Sequence, residues 1–146
     1  MHIVLVEDDW LQAEWIESRL RESFHNVETK RISTEQEFNV QLAAFVVAPP
    51  DVFIIDVMLR WANPEPDMAE PPTEVQENGY FRAGLRCKDK IIEHEHTRNT
   101  PIILYTVLEE LDLDQSLQDK PVHVVYLRKD SDPEPLIRKI RELMRR

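Results

Sequence analysis

Glu7, Asp8 and Asp9 close one short apolar run, Asp56 closes a second, Thr106 a third, and Lys129 lies just past a fourth. Singly, each is ordinary: polar residues follow strands because loops are exposed, and Asp9 is adequately explained as a helix cap. Taken in order, they make a set of carboxylates, a hydroxyl and an ammonium. Carboxylates gathered around one crevice cannot all stay ionised without a cation, and an all-oxygen acidic pocket suits a hard divalent ion. Mg2+ is the natural choice, since it takes one or two carboxylates and keeps waters for a phosphoryl ligand.

The runs that lead into these residues, 3–6, 52–55, 102–105 and 122–127, are rich in β-branched or aromatic residues and nearly continuously apolar. Strands covered on both faces have that character, which marks a parallel sheet. A fifth, weaker strand is expected over 27–32. Helical patterns lie between the strands. Asp9 with Gln12 opens one in which Ala13, Ile16, Leu20 and Phe24 recur at helical spacing, and Thr34 with Glu37 forms a capping box before Phe38, Leu42 and Phe45. Ser131 and Glu134, with Pro133 in the first turn, open a last helix whose core stripe is Leu136, Ile137, Ile140 and Leu143. Arg145 and Arg146 end it, where cations suit the helix dipole. The alternation makes the fold class α/β, with right-handed crossovers placing helices on both faces of one sheet. All strand carboxyl ends then share one edge, where ligands bind, and that edge gathers the polar set.

Segment 59–78 breaks the pattern, with four of the ten prolines and the acids Glu65, Asp67, Glu70, Glu74 and Glu77. It is expected to be a loop bordering the mouth of the crevice, a length usually either functional or disordered. Helix should resume near Gly79, with Phe81, Leu85, Ile91 and Ile92 as core positions.

A chain of 146 residues suits one domain, 1–146, with a core large enough to need no staples. The lone Cys87 leaves no internal disulfide and points to a reducing compartment, by default the cytoplasm. Eighteen Lys and Arg against 28 Asp and Glu, a net charge of −10, argue against direct nucleic-acid binding. The longest apolar stretch, 42–48, is too short to span a membrane.

The ordered set on such a chain resembles the receiver domains of two-component response regulators, over nearly everything except the 59–78 insert. The resemblance implies a flavodoxin-like five-stranded parallel sheet of order 2-1-3-4-5. It implies phosphorylation of Asp56 from the phosphohistidine of a histidine kinase or histidine phosphotransfer protein, with Mg2+ bound by Glu7, Asp8, Asp56 and the Met58 carbonyl. Thr106 becomes the switch hydroxyl, Lys129 the phosphoryl-contacting lysine, and Tyr126 the aromatic whose rotation reports phosphorylation. A downstream protein target follows, and a homodimer is compatible. The chain's end after the last helix leaves two expectations: action through protein contacts alone, or excision from a longer regulator.

Three positions depart from the family pattern. Asp130 stands where a proline with a cis bond usually follows the lysine; a cis bond before a non-proline costs about 3 kcal/mol, so the loop is trans or strained. Arg60 replaces a proline four residues after the acceptor, and bulky Val107 follows the switch hydroxyl and is expected to narrow the path to Asp56. These departures favour an alternative, a receiver-fold interaction module without a working phosphorylation cycle. An aspartyl-nucleophile phosphatase ranks lower, because that chemistry wants an acid where Met58 stands.

Of the remaining residues, His94 and His96 are expected on a solvated face, His123 within the fifth strand, and Cys87 inert. Trp10 and Trp15 are expected to pack with the first helix, and Trp61, in the polar insert, to mark a partner surface.

Overall fold

A computed structural model describes residues 1–113 and 121–145, so Arg146 lies outside the described residues. Strands β1 (His2–Val6), β2 (Glu28–Ile32), β3 (Val52–Ile55), β4 (Ile102–Thr106) and β5 (Val124–Arg128) form one parallel sheet in the order β2-β1-β3-β4-β5. Helices α1 (Trp10–Ser23), α2 (Glu35–Val47), α3 (Thr73–Asn78), α4 (Ala83–Glu93) and α5 (Glu134–Met144) are the α-helices among the described residues. None of these helices is long and apolar enough to cross a membrane.

Every residue of β3 and β4 is buried, which is why both runs read as continuously apolar. Alternate residues serve opposite faces. Val4, Val6, Phe53, Ile55 and Leu104 pack with Phe38, Phe45 and Ile91 of α2 and α4, while Ile3, Leu5, Ile54 and Ile103 pack with α1 and α5 residues Ile16, Leu20, Ile137 and Ile140. Phe38, Phe45 and Phe53 meet at ring centroid distances of 5.6–6.5 Å. Burial of each such side chain contributes about 1.5–3 kcal/mol. Pairing of Val6 with Ile55 brings the next residues, Glu7 and Asp56, side by side, and pairing of Thr106 with Arg128 sets Lys129 one step further along β5.

Both early caps form as the sequence indicates. Asp9 Oδ1 accepts the Gln12 N–H at 3.0 Å; Thr34 Oγ1 accepts the Glu37 N–H at 3.1 Å while the Glu37 carboxylate reaches back to Ser33. The last helix differs. It starts at Glu134, whose N–H is accepted by Asp132, while Ser131 donates to Asp130, because the nearer Asp side chains outcompete the serine. Segment 59–78 is not all loop: Leu59 is fully buried, and 73–78 forms α3 with Val75 inward. Gly79 ends α3 at φ +65° and ψ −172°, a region essentially restricted to glycine. A 3-10 turn, Tyr80–Arg82, separates it from α4, so Phe81 is exposed and stacks on Tyr80 and is not a core residue. Trp10 is 65% exposed, contrary to the expected packing, whereas Trp15 packs against the α1–α5 core. His123 precedes β5, and its carbonyl accepts the Ile102 N–H.

One buried ion pair ties α2 to α4. Arg86 Nε and Nη2 donate to the two Glu35 oxygens at 2.6 and 2.8 Å, and Nη2 also donates to the Gly79 carbonyl at 2.9 Å. Glu35 is fully buried, so truncating its partner strands a carboxylate. Arg86→Ala is expected to destabilise the chain by about 3–5 kcal/mol in urea unfolding, and Glu35→Gln combined with Arg86→Met to recover much of that loss.

Candidate functional site

Glu7, Asp56 and Lys129 meet at the carboxyl ends of β1, β3 and β5. Lys129 Nζ donates to Glu7 Oε2 at 2.5 Å and to Asp56 Oδ2 at 2.6 Å, and all three side chains are largely withdrawn from solvent. Their backbones are fixed by the sheet itself: the Asp56 N–H donates to the Val6 carbonyl, the Glu7 N–H to Ile32, and the Lys129 N–H to Thr106. The second oxygens are engaged as well. Glu7 Oε1 accepts the Asp9 N–H at 3.0 Å, and Asp56 Oδ1 accepts the Met58 N–H at 3.2 Å. Among the described residues every peptide bond is trans, including Lys129–Asp130, so the missing proline leaves no cis bond here.

Burial, only partly offset by Lys129 and reinforced by Asp56, pushes the Glu7 carboxyl up to about 7. Burial alone would lower the Lys129 ammonium, but the charges of Asp56 and Glu7 outweigh it and hold it above its ordinary value. A cavity of about 360 Å³ opens over the cluster, lined by Glu7, Asp8, Asp56, Met58, Tyr80, Val107 and Lys129 among others. Val107 is half exposed on its wall.

Asp8 lines the same cavity but pairs with Arg60: its Oδ2 accepts the Arg60 N–H at 3.0 Å and lies 3.5 Å from Arg60 Nε. Thr106 is buried and joins the cluster through its backbone, while its Oγ1 accepts the Leu108 N–H at 3.4 Å. Tyr126 stands apart, its hydroxyl donating to the Leu108 carbonyl. Glu7, Asp8, Asp56 and Met58 share one cavity and offer oxygen donors, a chemistry that fits a hard divalent cation. Among the described residues no three acidic, histidine or cysteine side chains are grouped as they would be around an ion; Lys129 and Arg60 pair with the carboxylates in this structure.

One residue at the site, Gly84, escaped the sequence reading, and so did the contact made by a second, Arg60. Gly84, in the first turn of α4, approaches Asp56 so closely that a Cβ there would lie 2.1 Å from the Asp56 carbonyl oxygen. With two glycines in the whole chain, one inside a helical pattern was a legible sign of close backbone approach. Arg60 was noted as a departure, but nothing in its spacing showed that it would turn to Asp8. The histidines carry no site: His94 and His96 are exposed beyond α4. Burial pushes the Cys87 thiol up, which leaves it unreactive.

No protein-family model and no curated protein matches the sequence. Solved structures do match the fold. The receiver domain of the sensor histidine kinase PA1611 from Pseudomonas aeruginosa PAO1, which has a magnesium ion coordinated in its active site cleft, superposes with a TM-score of 0.68 at 20% identity, covering 99% of this chain and 98% of that one. A putative response regulator from Chloroflexus aurantiacus gives 0.69 at 21% identity, with 99% and 98% covered. A response regulator receiver domain from Rhodospirillum rubrum gives 0.64 at 23% identity, with 98% and 90% covered.

The chain has the receiver-domain fold. In this receiver fold the raised Glu7 carboxyl links stability to pH. Between about pH 4.5 and 7 the folded chain retains a proton at Glu7 that the unfolded chain has lost, so this group's contribution falls as pH rises through that window. Lys129 stays protonated throughout and adds no slope there. In metal-free buffer, Glu7→Gln is expected to remove this decline, worth roughly 2–3 kcal/mol, from denaturant unfolding measured between pH 5 and 7. Parallel pH profiles for parent and variant would contradict it.

Proposed function

We propose that the chain is a phosphoacceptor receiver in two-component or phosphorelay signalling, phosphorylated on Asp56 by a histidine kinase or histidine phosphotransfer protein. The observation that carries this reading is Asp56 held by Lys129 beneath a solvent-open cavity that three further strand ends border. In the transfer, an Asp56 carboxylate oxygen forms the new O–P bond while the N–P bond of the donor imidazole breaks and its nitrogen keeps the bonding pair. Such a carboxylate attacks phosphorus only when the phosphoryl charge is neutralised and the approach is in line. Lys129 supplies part of that neutralisation through the ammonium it already places on Asp56. Asp8, Asp56 and the Met58 carbonyl would hold Mg2+, with Glu7 acting through water, and the bound ion supplies charge neutralisation at the phosphoryl oxygens.

Thr106 and Tyr126 are the proposed switch. The Leu108 N–H donates to the Thr106 hydroxyl and the Leu108 carbonyl accepts from Tyr126, so a Thr106 drawn toward a phosphoryl oxygen moves the residue that anchors the tyrosine. The readout is then a changed surface around β4 and β5 for a downstream protein. A second reading, an interaction module without the cycle, is favoured by one observation: Asp8 is already engaged by Arg60.

Incubation with Mg2+ and acetyl phosphate followed by intact mass distinguishes the two. One phosphoryl adduct, absent in Asp56→Asn, is expected; no adduct under any condition supports the interaction module. The adduct should decay slowly after donor removal, because the side chains of Met58 and Leu108, two residues beyond Asp56 and Thr106, cannot hydrogen-bond an attacking water as an amide or carboxylate would. Met58→Asn with Leu108→Glu is expected to accelerate that decay, and an unchanged rate would remove those side chains from the explanation.

A further inference from the structure

We propose that Arg60 competes with the divalent cation for Asp8 and so sets how tightly the cleft binds Mg2+, an inference that rests on the phosphoacceptor reading above. Arg60 is the second residue of the 59–78 insert and the first exposed one, and its backbone is pinned on both sides. Its N–H donates to Asp8 Oδ2 at 3.0 Å, its carbonyl accepts the Glu35 N–H at 3.0 Å, and the next carbonyl, of Trp61, accepts the Gln36 N–H at 2.8 Å. Those donors are available because the first turn of α2 has no intrahelical acceptors for them, while the Thr34 cap takes the Glu37 N–H.

The insert is thereby anchored across the end of α2, and the Arg60 side chain returns to the same Asp8 oxygen, with Nε 3.5 Å away. One N–H donor and a guanidinium charge at the same oxygen already offset much of the charge that would make Asp8 a metal ligand. The guanidinium is half exposed and positively charged, so it also repels a dication placed beside Asp8. A unit charge about 6 Å from a divalent ion in a water-like medium lowers affinity roughly tenfold, and salt reduces the effect. Lys129 does not duplicate this role, because its ammonium lies on Glu7 and Asp56, away from the Arg60 pair. Arg60 therefore acts as a resident counter-cation that only sufficient Mg2+ displaces.

Calorimetric titration of the whole chain with MgCl2 tests this without reference to phosphorylation. Arg60→Gln keeps the peptide N–H and removes the charge, and it is expected to bind Mg2+ about 3- to 10-fold more tightly than the parent at low salt. Arg60→Lys should stay within about twofold of the parent, and the gain in Arg60→Gln should shrink as KCl is added. Equal or weaker binding by Arg60→Gln, with binding lost in Asp8→Asn, overturns the role of Arg60 and leaves the metal site standing. Absence of Mg2+ binding in the parent and in Arg60→Gln alike overturns the metal reading itself.

Discussion

Two carboxylates at the ends of adjacent buried strands cannot both remain charged without a cation between them, and Lys129 is that cation. The sheet order makes the contact obligatory. Glu7 and Asp56 are neighbours because β1 pairs with β3, whereas Lys129 must reach across the end of β4, and its backbone is tied to Thr106 so that it can. Removing Lys129 would leave two carboxylates without a counter-charge in a largely desolvated place. The cost of assembling them is visible in Glu7, which is held near the edge of ionisation. A cluster of that kind is poised: any ligand that brings its own negative charge to Asp56 offers Lys129 a better partner than Glu7.

The rest of the architecture keeps this cluster accessible yet rigid. Gly84 lets α4 approach the Asp56 carbonyl, and the Glu35–Arg86 pair holds α4 against α2 while also fastening the Gly79 turn. The insert is consequently no free loop at its ends. It leaves over Asp8, crosses the start of α2, and returns through α3 and the Gly79 turn to the helix that abuts Asp56. A movement at the insert is thus mechanically connected to the cleft at both of its ends.

Much of this was legible in the sequence, for identifiable physical reasons. Strands buried on both faces write themselves as continuous apolar runs, so β1, β3 and β4 were plain, and the polar residue closing each run named the cleft. Local capping chemistry was equally readable at Asp9 and Thr34. Less readable was anything decided by competition between neighbours of similar character, as at Asp130, Ser131 and Asp132, where three side chains could cap α5. The helix in 73–78 was hidden by the prolines before it, and Phe81 lost its inward position because the Gly79 turn shifts the start of α4. The long-range pairs Arg60 with Asp8 and Arg86 with Glu35 carry no local signature, since their partners are 52 and 51 residues apart.

The direct test of the central interaction is a crystal structure of the chain with Mg2+ and beryllofluoride, which mimics a phosphoryl group on a carboxylate. The expected result is a beryllofluoride adduct on Asp56, with Lys129 Nζ moved from Glu7 onto a fluorine and the metal touching Asp8 and Asp56. An empty Asp56, or an adduct beside which Lys129 still bridges Glu7 and Asp56 unchanged, would contradict the view that this charge cluster exists to receive a phosphoryl group.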